Sequence, residues 1–188
     1  MTATLPVITE RQSPHYDDRP QAETVSLLVI HNISLPAAEF SKVPQHSYID
    51  ALFMGELDCT AHPSFAGLAG VRVSAHCVIW RDGSIFQYVP FAKRAWHAGV
   101  SSFAGRERCN DFSIGIELEG TDNLPYTDQQ YKSLINLTLM IMQRYPAITP
   151  ERIAGHCDIA PGRKTDPGTA FDWMRYRDAI KSALNKPI

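Results

Sequence analysis

FSIGIELEG, residues 112–120, alternates apolar side chains with glycine or glutamate at a period of two. That period belongs to a strand, whose successive side chains point to opposite faces. Ile114, Ile116 and Leu118 fall on one face, and Gly115, Glu117 and Glu119 on the other. Upstream, VSLLVI (25–30) is a continuous apolar run, reads as a buried strand, and ends in His31-Asn32. VSAHCVIW (73–80) and IFQYVP (85–90) flank Arg81-Asp82-Gly83-Ser84. Asp-Gly between two β-rich runs is a hairpin signal.

Helices fill the intervals. HSYIDALFMG (46–55) reads as a short helix closed by Gly55. Thr127 and Gln130 form a capping box at the start of a long helix. Its apolar stripe is Tyr131, Leu134, Ile135, Met142 and Tyr145, and Pro146 follows its end. Thr149-Pro150-Glu151 starts a short helix with proline at its first position, and residues 171–184 read as a final amphipathic helix. The order β-α-β-β-β-α-α-loop-α predicts an α/β fold with a mixed sheet, and no repeat or boundary divides residues 1–188 into smaller domains.

Composition narrows the function classes. A hydrophobic fraction of 44% and a charged fraction of 20% are ordinary for a globular protein of 188 residues. A net charge of −2 gives no reason to expect nucleic acid or an anionic membrane as partner. The apolar runs are too short to span a bilayer. MTATLPVITERQSPHYDDRP (1–20) has no basic segment followed by an apolar one, so no secretory signal is expected and the cytoplasm is the expected location. Cys59, Cys77, Cys109 and Cys157 form no close CxxC pair and read as free thiols. Cys77 sits in an apolar run and reads as core.

Chemistry concentrates in GHCDIAPGRKTDPG (155–168), a loop with two prolines and three glycines that also carries His156, Lys164 and Asp166. His31 stands at the end of the first strand, where α/β folds place functional side chains. Two imidazoles and a carboxylate make a common catalytic zinc set with one position open for water. Zinc lowers the pKa of that water from about 15.7 to about 7. His76, His97 and Asp158 compete as ligands, and Cys157 adjoins His156. Glu117, opposite the apolar stripe, is a candidate general base; the alternative is a solvated sheet face with two glutamates. Lys164 is either an oxyanion partner or an exposed loop lysine. Trp96 could stack on a ligand or fill the core. Arg72 and Arg108 could pair with substrate carboxylates or be ordinary surface residues.

LLVIHNISLP (27–36), VSAHCVIWRDGSIFQYVPFAKRAWHAGVSSF (73–103), RCNDFSIGIELEGTD (108–122) and GHCDIAPGRKTDPG (155–168), in that order, resemble the N-acetylmuramoyl-L-alanine amidase family of zinc amidases, which includes peptidoglycan recognition proteins. The resemblance runs from SPHYDDRP (13–20) to FDWMRYR (171–177). It implies one zinc ion per chain, held by His31, His156 and Asp166, with Glu117 and Lys164 catalytic. Asn32, Arg72, Trp96, His97 and Arg108 fall in the segments that line the family's substrate groove. The implied fold is a single zinc amidase domain over 1–188, with its sheet flanked by helices and an irregular substrate-cover region at about 42–70. The implied reaction is hydrolysis of the amide between the lactyl group of anhydro-N-acetylmuramic acid and the L-alanine of its stem peptide, in cytoplasmic muropeptide recycling. The expected partner is an anhydro-muropeptide, with no nucleic acid, membrane or protein partner evident. A binding module that had lost its chemistry would not keep His31, His156, Asp166, Glu117 and Lys164 together. The absence of HExxH excludes a thermolysin-like peptidase.

Overall fold

The structure is a computed structural model that describes residues 6–185, so the first five residues of the N-terminal reading and the outermost ends of the expected domain lie outside the described residues. Along the chain the strands and α-helices are β1 (Ile8–Glu10), β2 (Tyr16–Asp17), β3 (Leu27–Ile33), α1 (Tyr48–Met54), β4 (Cys77–Ile79), β5 (Ile85–Gln87), β6 (Arg94–Ala95), β7 (Ser102–Phe103), β8 (Arg106–Glu107), β9 (Ser113–Glu119), α2 (Asp128–Arg144), β10 (Ile153–Gly155), α3 (His156–Ile159) and α4 (Trp173–Leu184). Six of the strands form one mixed sheet in the order β1-β5-β4-β9-β3-β10. Only β4 and β5, the expected hairpin, pair antiparallel within it; β9 runs parallel to both β4 and β3, and β10 runs parallel to β3.

The two faces of the sheet do different work. Leu28, Ile30, Ile114, Ile116 and Leu118 pack against Leu134, Leu137 and Ile141 of α2 and Ile180 of α4. The expected stripe of α2 is therefore core, with Ile135, Met142 and Tyr145 only partly buried against it. Val78 and Trp80 on the opposite face pack against Ile49, Leu52 and Phe53 of α1. Asp50 ties α1 to the N-terminal segment: it accepts from Arg11 Nε at 3.1 Å and from the Tyr88 hydroxyl at 2.7 Å. The region 42–70 is thus built around an anchored helix, with 3₁₀ turns at Pro44–His46 and Pro63–Leu68 on either side.

The structure differs from the sequence reading mainly at short elements and element ends. β1 and β10 were not expected, and the short helix at Thr149 is a 3₁₀ turn over Pro150–Arg152 that leads into β10. A three-residue strand is too short to show a period of two; its state is set by pairing with a neighbour. The strand expected at 25–30 is shifted to Leu27–Ile33, because pairing with β9 continues through His31 and Asn32. Likewise His156–Ile159 forms a helical turn inside the expected loop.

The capping box joins α2 to the sheet. The Thr127 hydroxyl accepts from Gln130 N at 3.1 Å, and Gln130 Oε1 accepts from Thr127 N at 3.1 Å. The fully buried Gln130 amide also donates to the Ile79 and Glu119 carbonyls at 3.2 and 2.9 Å. Gln130→Ala removes both donations to these carbonyls and the acceptor of the Thr127 N–H, while the Thr127 hydroxyl keeps the residue-130 N–H, and should lower stability by about 2–4 kcal/mol. Urea unfolding of the variant measures it.

Candidate active site

Strand register builds the site. Across β3 and β9, His31 pairs with Glu117, so both side chains leave the same face at the same level. Gly155, the last residue of β10, pairs with Ile30, so the next residue, His156, arrives beside His31. The loop then returns Asp166: the Cys157 N–H donates to the Asp166 carbonyl at 2.9 Å. Asn32 and Tyr126 hold the end of the loop, donating to the Pro167 carbonyl at 3.1 and 2.8 Å, while Asn32 also donates to Asp122 Oδ1 at 2.8 Å. Gly168 has φ +80°, and a Cβ there would lie 2.1 Å from Asp122 Cα, so only glycine lets the loop close on Asp122.

Three ligand atoms converge. His31 Nδ1 is 3.0 Å from His156 Nδ1 and 3.0 Å from Asp166 Oδ2; His156 Nδ1 is 3.1 Å from the same oxygen. His156 Nε2 faces the Ala98 carbonyl at 3.2 Å. A carbonyl only accepts, and it lies nearer than the Arg163 guanidinium at 3.4 Å, so a His156 that offers its Nδ1 lone pair to a metal keeps its proton on Nε2. Burial lowers the pKa of His31 to about 4, against the pull of Asp166, so this ring is neutral near pH 7. Burial also opposes ionisation of Asp166, but the proximity of His156 and His31 outweighs that and holds its carboxyl below the ordinary range. Two imidazole nitrogens and a carboxylate oxygen converging on one point form a set of donors that a cation would join. A tetrahedral zinc ion with arms of about 2.0–2.1 Å spaces its ligands about 3.3–3.4 Å apart, so the triangle fits after a shift of a few tenths of an ångström. The donor set therefore suits a metal ion.

The competing ligands lie elsewhere. His76 accepts from the Gly115 N–H at Nδ1 and meets the Lys93 carbonyl at Nε2, both at 3.0 Å. Asp158 accepts from the Gly155 N–H. His97 Nδ1 contacts His31 at 2.9 Å, but at Nε2, away from the three converging atoms. Cys77 is buried, as read from its apolar run.

Glu117 and Glu119 are both buried, so the solvated-face alternative does not hold. Glu119 spends its carboxylate on the backbone N–H groups of Ser41 and Arg81. Among the described residues Glu117 Oε2 has no hydrogen-bond partner. Burial, with a smaller contribution from the Asp166 charge, raises the Glu117 pKa well above the usual value, while Lys164 opposes the shift. Lys164 is exposed and shares a cleft with Asn32, Thr121, Asp122 and Asp166.

The structure spreads the remaining candidates. Arg108 is exposed, pairs with Asp111 and lines a second cleft with Gly99, Ser101 and Pro161. Trp96 is half-buried, donates to Asp17 at 3.1 Å and stacks on His15. Arg72 is exposed and lines neither of these clefts. Sequence reading passed over Arg163, which lines both clefts and donates to the Ala98 and Val100 carbonyls at 2.6 and 2.8 Å. Its one signal was its place beside Lys164.

The raised pKa of Glu117 has a sign that can be tested without metal. An unfolded glutamate ionises near about 4.3. Above that pH unfolding releases the proton that the folded carboxyl still holds, so stability falls as pH rises toward the folded pKa. Glu117→Gln removes this term. In metal-free protein its stability advantage over wild type should grow from about pH 4 upward, and thermal unfolding across pH checks it.

The model of the N-acetylmuramoyl-L-alanine amidase family matches residues 21–169. The chain is 63% identical over 176 residues to the 1,6-anhydro-N-acetylmuramyl-L-alanine amidase AmpD of Citrobacter freundii, covering 94% of this chain and 91% of that one. With AmpD of Escherichia coli K12 the identity is 64% over 165 residues, 88% and 87% of the two chains. A crystal structure of selenomethionine AmpD superposes with TM-score 0.88 at 61% identity, covering 96% and 98%. AmpDh3 of Pseudomonas aeruginosa, solved with an anhydromuramic pentapeptide, superposes with TM-score 0.60 at 31% identity, covering 90% of this chain and 63% of that one. Family match, sequence identity and superposed fold agree: the chain belongs to the N-acetylmuramoyl-L-alanine amidase family and is a hydrolase of that class.

Proposed function

We propose that this chain is a zinc-dependent amidase that cleaves the bond between the lactyl group of 1,6-anhydro-N-acetylmuramic acid and the L-alanine of its stem peptide, in cytoplasmic muropeptide recycling. The observation that carries the reading is the convergence of His31, His156 and Asp166 beside a buried, unpartnered Glu117 oxygen. AmpD relatives at about 60% identity are named for this activity, and the anhydromuramic peptide bound to AmpDh3 supports the substrate class. No described helix is long and apolar enough to cross a membrane.

One zinc ion per chain is held by His31, His156 and Asp166. Zinc supplies Lewis-acid polarisation of the scissile carbonyl and a lowered pKa for water. Glu117 takes the proton of the attacking water at its free oxygen and delivers it to the departing alanine nitrogen. Its raised pKa suits both halves of that transfer. Lys164 reaches in from the exposed cleft wall and stabilises the developing oxyanion. Asn32, Arg72, Trp96, His97 and Arg108 form the proposed groove set. Arg108, at the rim of the second cleft, offers a guanidinium to a stem-peptide carboxylate, and Trp96 offers an aromatic face to the sugar. The chain acts as one domain, with residues 42–70 covering bound substrate.

Incubation with an anhydro-muramyl tripeptide should release an intact peptide beginning with L-alanine, read by mass spectrometry. A chelator should abolish release and zinc restore it. Glu117→Ala should keep its zinc and lose about 10²–10⁴ in rate. A folded, zinc-loaded wild type that cleaves nothing overturns the reading.

A further inference from the structure

We infer that the dipeptide His97-Ala98, clamped by Asn110, is the positioning element that orients both histidine ligands. This rests on the zinc reading above and gives His97 a role distinct from substrate contact. The ligands turn their Nδ1 atoms inward, so each needs a partner for its outward Nε2–H. For His156 that partner is the Ala98 carbonyl at 3.2 Å. For His31 it is His97 Nδ1 at 2.9 Å, the side chain of the preceding residue. When His31 Nδ1 holds a lone pair, its proton lies on Nε2 and His97 Nδ1 accepts it. The neutral His97 then carries its own proton on Nε2, where the Ser113 hydroxyl stands 3.1 Å away.

Two further features place the dipeptide. The buried Asn110 side chain accepts through Oδ1 from both backbone N–H groups, His97 at 3.1 Å and Ala98 at 2.8 Å. The strand beneath is cut away for the ring: a Cβ on Gly115 would lie 2.5 Å from His97 Cγ and Nδ1. Outward N–H groups of metal-bound histidines are usually held by a carboxylate, carbonyl or water. Here one loop supplies a carbonyl and an imidazole from adjacent residues.

The test is zinc affinity by chelator competition, with thermal unfolding of each metal-free protein as the folding control. His97→Phe keeps the ring and removes the acceptor; it should weaken zinc binding about 10–100-fold. His97→Gln, which can still accept from His31, should recover most of the loss. Asn110→Ala should weaken zinc binding through both ligands, while Asn110→Asp, which retains an acceptor oxygen, should be milder. Cobalt-loaded His97→Phe should also show a changed visible spectrum. Affinities within about twofold of wild type in folded His97→Phe overturn the inference. Should His97→Phe not fold, equal affinities of Asn110→Ala and wild type overturn it. A wild type that binds no zinc fails the zinc reading itself, a result distinct from either.

Discussion

His31 lies level with Glu117 because β3 and β9 run parallel in a single register, and His156 joins them because β10 ends one residue short of that level. Slipping β9 by one residue would turn Glu117 into the helix-packed core and bring an isoleucine or leucine to the ligands. The apolar side of the same strands enforces the register. Ile114, Ile116 and Leu118 can be buried under α2 and α4 only when Gly115, Glu117 and Glu119 face the other way. Core packing and site geometry are thus one constraint read from two faces of the sheet.

The site is largely buried and unbalanced in charge. Burial lowers the pKa of His31 and His97 and raises that of Glu117, while the neighbouring histidines hold Asp166 below the ordinary carboxylate range. Such an arrangement is costly for the free protein, because lone pairs and one carboxylate face a common point. It is organised for a cation that satisfies all three at once, and the work of holding it falls on surrounding backbone. The Ala98 and Pro167 carbonyls and the Asn32 and Tyr126 donors fix the ligands and their loop in orientation. Those supports come from segments far apart in the chain, so the site is a property of the folded domain.

Much of this was legible in advance. Period-two alternation in 112–120, the Asp82-Gly83 turn and the Thr127–Gln130 capping box are local signals written in consecutive residues, and each marks an element that exists. The same is true of the glycine- and proline-rich loop, whose composition left little reason for His156, Lys164 and Asp166 other than chemistry. The short β1 and β10 were illegible because three residues carry no period, and the burial of Glu117 was illegible because alternation gives a face without saying what covers it.

The sequence by itself determined the elements, the sidedness of the strands and the residue types available for catalysis, because these follow from nearest-neighbour backbone preferences and from the order of motifs. Only the tertiary structure decided which histidines meet. His31, His76, His97 and His156 were alike as candidates, yet two turn Nδ1 to one aspartate, one stands behind them and one is spent on backbone. That choice depends on strand register and on which acceptor each outward nitrogen finds. Both are contacts between segments up to 125 residues apart, and no local pattern encodes them.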